Sequence, residues 1–149
     1  METKEPAGII YAGIFLNERS TETLKRYPGM RLSRIIDNLH IMLQFRPSEV
    51  KRDLLGKAVY FKVVAYGNNG RNEGVRVAEF AGDPGIMEQV ESVRVPHVTI
   101  SCGNGGRPAE TADLDFQPVR RVITLAGRYG IFCDDTKVHF SPEGVSGCV

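Results

Sequence analysis

Two β-branched and aromatic runs flank a short turn-rich segment in the middle of the chain, and this pattern constrains the fold more than any other. The runs are KAVYFKVVAYG at residues 57–67 and GVRVAEF at residues 74–80, and the segment between them is NNGRNE. Asparagine and glycine are typical of the turns that join antiparallel strands. The sequence therefore predicts a β-hairpin with a loop somewhat longer than the minimum, as part of a sheet.

Five other stretches also have strand composition. They are GIIYAGIFL at residues 8–16, LHIMLQF at residues 39–45, HVTISC at residues 97–102 and a final pair, RRVITLAGRYGIFCDD and KVHFS. Gly127 and Gly130 interrupt the penultimate run, and we expect a bend or bulge there. A polar loop that contains glycine and proline is expected from the end of HVTISC to about residue 118.

Two segments predict helices. In NERSTETLKRYPG, Ser20 is suited to cap a short helix that the Pro-Gly pair closes. In GDPGIMEQVESV, Asp83 is suited to the cap and Pro84 to the first helical position, and the apolar residues that follow have helical spacing. Residues 47–56 can form a helical turn or two. The element order β-α-β, hairpin, α-β and β pair predicts an α+β sheet with helices packed on one side.

Length and charge limit the class of protein. With 149 residues, 42% of them hydrophobic and 25% charged, the chain suits one compact domain spanning residues 1–149. The net charge of +1 provides no overall field for nonspecific nucleic-acid binding, so a nucleotide needs a local site. No apolar run reaches the ~18 to 20 residues that span a bilayer, and METKEPAG is too charged for a signal peptide. We therefore expect a cytoplasmic protein that does not bind membranes.

The cysteines favour neither a metal site nor a redox motif. Cys102, Cys133 and Cys148 are odd in number and lack C-x-x-C spacing. We expect free thiols.

Two of the three histidines lie at the start of predicted strands. Because side chains alternate between the two faces of a strand, each histidine shares a face with the residues two and four positions later. The two sets are His40, Met42 and Gln44 in the first strand, and His97, Thr99 and Ser101 in the second. The intervening apolar residues are expected to bury against helices, which leaves the histidine sets on an open concave sheet.

This arrangement suits acid–base chemistry. The two histidines are 57 residues apart, which is about the length of a β-α-β unit plus a hairpin, so an approximate twofold can make their strands neighbours. Two imidazoles that face each other can divide the proton transfers of one reaction. A hydroxyl two residues beyond a histidine points the same way and can donate a hydrogen bond to a phosphate oxygen.

On these residues the chain resembles the two-histidine (2H) phosphoesterase superfamily, whose signature is a pair of H-x-T/S motifs on adjacent central strands. The opening IYAGIFLNERSTETL followed by the two histidine strands is similar to the small stand-alone 2H-like proteins associated with RNA ligase and RNA repair. The resemblance covers most of residues 8–103. It implies a bilobal α+β fold, with antiparallel sheets lining a central cleft and helices on the outer faces. It also implies no metal or other cofactor.

Carried over by position, the resemblance makes His40 and His97 the acid–base pair and Thr99 a phosphate donor. The first motif departs from the pattern because its third residue is Met42, whose thioether cannot donate a hydrogen bond. Losing one such donor costs about 2 to 4 kcal/mol of transition-state stabilisation. Side chains proposed to replace it are Gln44 on the same face, Arg46 and Arg71. We expect the substrate site to include Thr99, Met42, Ser101 and Tyr11.

Each of these residues also has a plainer interpretation. The two histidines can be ordinary half-exposed sheet residues. Tyr11 can stack on a base or belong to the core. His139 in KVHFS fits H-x-S with Ser141 but lies outside the family pattern.

The function expected from the resemblance is metal-independent hydrolysis of 2′,3′-cyclic phosphates or 2′-5′ phosphodiester bonds in RNA ends or small nucleotides. A rival is a binding module that keeps the site and lacks efficient chemistry, as Met42 permits. A further alternative is a hydrolase of cyclic oligonucleotide signals that uses the same residues. The partner is an RNA end or small nucleotide in each case, and no protein partner is indicated.

Overall fold

A computed structural model describes residues 8–146 of the chain, which form one eight-stranded sheet and a few short helices. The strands are β1 (Ile9–Leu16), β2 (Arg34–Ile35), β3 (His40–Phe45), β4 (Ala58–Asn68), β5 (Asn72–Ala81), β6 (His97–Cys102), β7 (Gln117–Cys133) and β8 (Val138–His139). The α-helices are α1 (Glu18–Lys25), α2 (Pro84–Glu91) and α3 (Pro142–Ser146). Short 3-10 helices cover Arg52–Leu54 and Pro108–Asp113.

The sheet has the strand order β2-β6-β5-β4-β7-β1-β3, with β8 paired to β7, and each of its pairings is antiparallel. The predicted hairpin is confirmed as β4 and β5, with the turn at residues 69–71. The strands predicted around residues 8–16, 39–45 and 97–102 are confirmed as β1, β3 and β6.

The predicted bilobal α+β fold, with helices over the outer faces of two sheets, is wrong. The structure is mostly a single antiparallel sheet, and its α-helices are two of eight residues and one of five. The physical reason is β7, which has 17 residues and pairs with β4 along one part and with β1 along the other. One continuous strand thus joins into a single sheet what the sequence had indicated as two lobes.

The two glycines lie inside β7, and the pairing of β7 with β1 runs from Gly127 to Gly130 without the register shift that a bulge would produce. A Cβ atom on Gly127 would lie 2.5 Å from the carbonyl oxygen of Phe15, and one on Gly130 would lie 2.7 Å from the ring of Phe140. These glycines therefore permit close approach of neighbouring groups while the strand continues through them.

One face of the sheet packs into the hydrophobic core. We call it the core face, and it carries Ile14, Ile41, Phe61, Val63 and Val98, all of which are buried. Leu24 from α1 and the residues Ile86 and Val90 from α2 belong to the same cluster. The short helices therefore cover one side of the sheet and leave much of the other side free.

The helix starts follow their sequence signals with one correction. Asp83 caps α2 as predicted, because its side chain accepts a hydrogen bond from the Gly85 amide at 2.8 Å. The cap of α1 is Asn17 and not Ser20, since Asn17 Oδ1 accepts from the Ser20 amide at 2.8 Å. Ser20 Oγ instead accepts from the Ala126 amide of β7, which anchors α1 on the sheet.

The expectation of free thiols is correct for Cys102, which is buried, and wrong for Cys133, which is disulfide-bonded. An odd count requires one unpaired cysteine in a monomer and does not require more than one. Cys148 lies outside the described residues.

No helix within residues 8–146 has the length and apolar character needed to cross a membrane.

Candidate functional site

Both candidate histidines lie on the same face of the sheet. Directly paired residues of antiparallel strands project to one face, as do residues two apart along a strand. The two histidines are connected across the sheet by direct pairs and by steps of two or four residues along a strand. The direct pairs, in order, are His97 with Arg76, Ala78 with Lys62, Ala58 with Arg128, Arg128 with Phe15, and Phe15 with His40. We call this surface the histidine face, and it is opposite to the core face.

The sheet also brings the two histidine strands close in space. β3 is at one end of the strand order and β6 is next to the other end, yet Cα atoms of the two strands approach within 8 Å. The positive charge of His97 acts on His40 and lowers its pKa. The sheet therefore curls until its two ends bring the histidine strands together.

The two imidazoles are held by the same local device. His40 Nδ1 lies 2.6 Å from the carbonyl oxygen of Asn38, and His97 Nδ1 lies 2.7 Å from that of Val95. A carbonyl oxygen can only accept, so each Nδ1 carries a hydrogen. Within residues 8–146, neither Nε2 atom has a hydrogen-bond partner. Each imidazole thus presents its Nε2 lone pair for proton transfer.

Burial is the main influence on both imidazoles. It lowers the pKa of His40 and of His97, while the hydrogen bonds to Asn38 and Val95 act in the opposite direction. The carboxylate of Asp113 also raises the pKa of His97, whereas the positive charge of His97 lowers the pKa of His40. Burial therefore favours the neutral form of both imidazoles, and the charge of Asp113 favours protonation at His97.

An aromatic cluster supports His40 from β1. The ring of Tyr11 stacks on the His40 ring with 4.7 Å between centroids, and Phe132 stacks on Tyr11 at 5.0 Å. Phe15 lies 5.5 Å from the His40 ring. Tyr11 is buried, and this burial raises the pKa of its hydroxyl. Of the two interpretations of Tyr11, the packing favours a supporting role beneath His40 over stacking on a base.

Thr99 lies on the histidine face two residues beyond His97, but its hydroxyl is already used. Thr99 Oγ1 donates to Thr111 Oγ1 at 2.7 Å or to the Pro108 carbonyl oxygen at 3.2 Å. The side chain is 8% exposed because the segment of residues 103–116, here called the covering segment, lies over it. Thr99 can donate to a phosphate only if it exchanges one of these partners.

The covering segment is fastened to the sheet by polar side chains. Asn72 donates to the Arg107 carbonyl oxygen at 2.6 Å and to Thr111 Oγ1 at 3.0 Å. Gly74 permits close packing, since a Cβ atom there would lie 2.5 Å from Thr111 Cγ2. The sequence predicted this stretch only as a polar loop, and the structure shows that it is an ordered cover.

Ser101 belongs to a buried polar network. Its hydroxyl donates to Glu73 Oε1 at 2.7 Å and accepts from the Leu32 amide at 2.9 Å. The other carboxylate oxygen of Glu73 accepts from Arg31 and from the Tyr66 hydroxyl. Ser101 and Glu73 are both fully buried, and the register shift between Glu73 and Gly74 turns Ser101 to the face opposite His97 and Thr99. Ser101 therefore does not share the face of His97 that strand alternation predicted, and we assign it a structural role.

The first histidine strand offers no phosphate donor near His40. Met42 is 39% exposed on the histidine face and cannot donate. Gln44 pairs with the core residue Ala12 beyond a register shift, which turns it away from the face of His40 and Met42. Arg46 follows the end of β3, and its guanidinium packs on Phe45. Arg71 donates to the Gly105 carbonyl oxygen at 2.7 Å. The donor missing at Met42 is therefore not replaced by the side chains that the sequence suggested.

Two residues near His97 have no recognisable signal in the sequence. Arg76 comes next to His97 through the β5–β6 pairing, and Asp113 comes near it through the fold of the covering segment. Strand register would have to be known before either could be identified.

His139 is separate from the pair. It is opposite Ile131 in β7, which is a core residue, and its Nε2 lies 2.9 Å from Asp135 Oδ2. Cys133, Asp135 and His139 hold potential metal-binding atoms within 4.8 Å of one another. The disulfide bond at Cys133 removes the thiolate that such a site would use.

An open groove of about 900 Å³ lies between α1 and the first part of β7. Its lining includes Tyr27, Tyr66 and the three arginines Arg26, Arg120 and Arg121, and it contains none of the candidate site residues.

Comparison with known proteins finds no family model that matches the chain and no significant match among curated proteins.

Proposed function

We propose that the protein hydrolyses 2′,3′-cyclic phosphate or 2′-5′ phosphodiester bonds in RNA ends or small nucleotides. The observation that carries this proposal is the matched pair of imidazoles on one sheet face, each with Nδ1 bound to a carbonyl oxygen two residues earlier and Nε2 unpaired. A phosphodiester hydrolysis needs one base and one acid at the same phosphorus atom. Two such imidazoles supply both without a metal ion.

For a 2′,3′-cyclic phosphate, the proposed reaction is an in-line displacement by water. The neutral imidazole takes a proton from water as its oxygen bonds to phosphorus. The imidazolium gives its proton to the ribose oxygen as the bond between that oxygen and phosphorus breaks. The product is a phosphate monoester with a free ribose hydroxyl, and proton exchange with solvent restores the two imidazoles.

The charges around the pair support one assignment of the two proposed roles. Asp113 favours the protonated form of His97, so His97 is the acid toward the departing ribose oxygen. The positive charge of His97 disfavours protonation of His40, so His40 is the base toward water. In the pH range where the two imidazoles together hold one exchangeable proton, His97 is protonated while His40 is neutral.

The test is hydrolysis of nucleoside 2′,3′-cyclic phosphates and 2′-5′ dinucleotides in the presence of a chelator. We expect turnover by the wild-type protein and a loss of about 10² to 10⁴-fold in His97→Ala. His139→Ala is the matched control, because it removes the third histidine and leaves the pair intact. Equal turnover by wild type and His97→Ala would overturn the proposal.

A specific observation favours a second function, which is binding of an RNA end or nucleotide without efficient chemistry. Met42 has no donor, and the Thr99 hydroxyl is directed to Thr111 and Pro108. Stabilisation of the transition-state charge is thus weaker than an intact pair of H-x-T motifs provides. Nucleotide binding without turnover, together with no gain in Met42→Thr, supports this function. A panel that adds cyclic oligonucleotides separates RNA ends from nucleotide signals as the ligand.

A further inference from the structure

The proposed reaction needs a hydrogen-bond donor or cation at the phosphoryl oxygens, where negative charge increases in the transition state. The hydroxyl of Thr99 has protein partners, and Met42 cannot donate. Some other group on the histidine face must therefore face the phosphate if turnover is efficient.

Arg76 occupies the position that such a group requires. It lies on β5 directly opposite His97, and side chains of directly paired antiparallel residues have Cβ atoms about 4.5 to 5.5 Å apart on the same face. Arg76 is exposed. Among the residues from 8 to 146, its guanidinium has no hydrogen-bond or ion-pair partner.

The other arginines near the pair are engaged elsewhere. The Arg128 guanidinium lies 4.0 Å from the centroid of the Phe140 ring, and Arg94 forms an ion pair with Asp113 at 3.6 Å. Arg71 holds the covering segment through Gly105. Arg76 therefore combines adjacency to an imidazole with a guanidinium that is free to bind a ligand.

We propose that Arg76 binds the scissile phosphate beside His97 and supplies the charge that the imperfect first motif does not. This inference rests on the proposed function, since it names the phosphate-binding group of the same site. A guanidinium presents two parallel N–H donors, which match two phosphate oxygens, and it stays protonated at all working pH values. The ligand class is a nucleotide with a phosphate monoester or diester at the ribose 2′ or 3′ position.

The kinetic test compares Arg76→Gln and Arg76→Lys with Arg120→Gln as matched control. Arg120 is an exposed arginine of β7 in the groove, so its replacement removes the same charge away from the histidines. With a nucleoside 2′,3′-cyclic phosphate, we expect Arg76→Gln to lower kcat/KM by about 10²-fold through the loss of one donor group. Arg76→Lys keeps the charge but loses the paired geometry, and it should recover part of this loss. Arg120→Gln should change kcat/KM less than twofold.

A binding test keeps the inference separate from catalysis. Calorimetric titration of each variant with adenosine 2′-monophosphate and 3′-monophosphate measures phosphate affinity without turnover. We expect at least one of the two to bind the wild-type protein and Arg76→Gln to weaken it about 10-fold, with Arg120→Gln unchanged.

The outcomes distinguish the two proposals. Turnover by wild type with equal kinetics in Arg76→Gln and Arg120→Gln overturns the role of Arg76 and leaves the proposed hydrolase intact. Absence of turnover, with monophosphate binding that only the Arg76 variants weaken, supports Arg76 and overturns the hydrolase in favour of the binding function. Neither turnover nor monophosphate binding by wild type overturns both.

Discussion

The strands β3 and β6 begin alike, but they differ two and four residues after the histidine, at the positions that the alternating sequence pattern makes equivalent. Both open with a histidine whose Nδ1 donates to a carbonyl oxygen two residues earlier. Two residues later, Met42 is exposed on β3 while Thr99 on β6 lies under the covering segment. Four residues later, Gln44 is half-buried while Ser101 is fully buried in the network of Glu73.

Position in the sheet explains the difference. Among the described residues, β3 is the last strand at its edge and pairs only with β1, and Met42 on its histidine face is 39% exposed. β6 pairs with both β2 and β5, and the covering segment lies across it. The same sequence alternation therefore leaves Met42 accessible on one strand and covers Thr99 on the other. Beyond these two residues, a register shift in each strand ends the shared face.

The comparison separates the proposed site into two parts, one for proton transfer and one for phosphate binding. The proton-transfer part depends on a contact between residues two apart in the chain, and it is present in both strands. The phosphate-binding part depends on what lies over or beside each strand, and it is not repeated. Paired substitutions at equivalent positions of β3 and β6 test this separation.

The largest effect is expected at the histidines themselves. His40→Ala and His97→Ala should each lower kcat by about 10² to 10⁴-fold, because each removes one of two proton transfers. The double variant should lose little more than either single variant, since the two groups act as a unit. Steady-state kinetics with a nucleoside 2′,3′-cyclic phosphate checks this, with thermal unfolding as the control for folding. A large loss in only one of the single variants would contradict equal participation of the strands.

The next effect is expected two residues further on. Met42→Thr places a hydroxyl on the exposed side of β3, and we expect kcat to rise by up to about 10²-fold as a donor is restored. Free energy of unfolding should change by no more than about 0.5 kcal/mol, as for most exposed positions. Kinetics on the cyclic phosphate measures the first quantity and urea denaturation the second. A fall in kcat would show that Met42 already contributes to the site.

Four residues beyond the histidines, the expected effects are on stability. Ser101→Ala leaves a Glu73 oxygen and the Leu32 amide without their partner and should lower the free energy of unfolding by about 1 to 3 kcal/mol. Gln44→Ala, its counterpart on β3, should change it by no more than about 0.5 kcal/mol. Urea denaturation at a single pH compares the two. Equal values would show that the strands do not differ in the way described.

The smallest effect is expected in the dependence of stability on pH. Burial lowers the pKa of both histidines in the folded protein, so the unfolded chain binds more protons than the folded one as pH falls below about 6.5. Stability contributed by the neutral imidazoles is therefore present above pH 6.5 and is lost as the pH falls toward their folded-state values. Free energies of unfolding measured between pH 8 and pH 5 check this. His40→Ala and His97→Ala should each reduce the decline, and an unchanged decline in both would contradict buried, neutral imidazoles.

The local parts of the fold were predictable from the sequence. β-Branched runs and the asparagine-glycine turn identified β1, β3, β6 and the hairpin of β4 and β5. The Asp83-Pro84 pair identified the start of α2. The joining of the strands into one sheet was not predictable, because it depends on long-range pairing of β7 with both β1 and β4.

Dependence on long-range strand pairing also limited the prediction of the site. Alternation along the strands assigned His40, Met42, His97 and Thr99 to the histidine side of their strands, which strand register in the structure reproduces. Alternation cannot indicate what covers a face, so the burial of Ser101 and the bonding of Thr99 to Thr111 had no signal. Arg76 becomes adjacent to His97 only through the register of β5 against β6.

In the proposed site, the Nε2 atoms of His40 and His97 meet the same phosphate. Nitrogen-15 NMR of the imidazoles measures this directly, during a titration with adenosine 2′-monophosphate or 3′-monophosphate. We expect both free imidazoles to carry hydrogen on Nδ1 and both Nε2 resonances to shift together with a single dissociation constant. A shift of only one Nε2 resonance, or hydrogen on Nε2 in both free imidazoles, would contradict the proposed site.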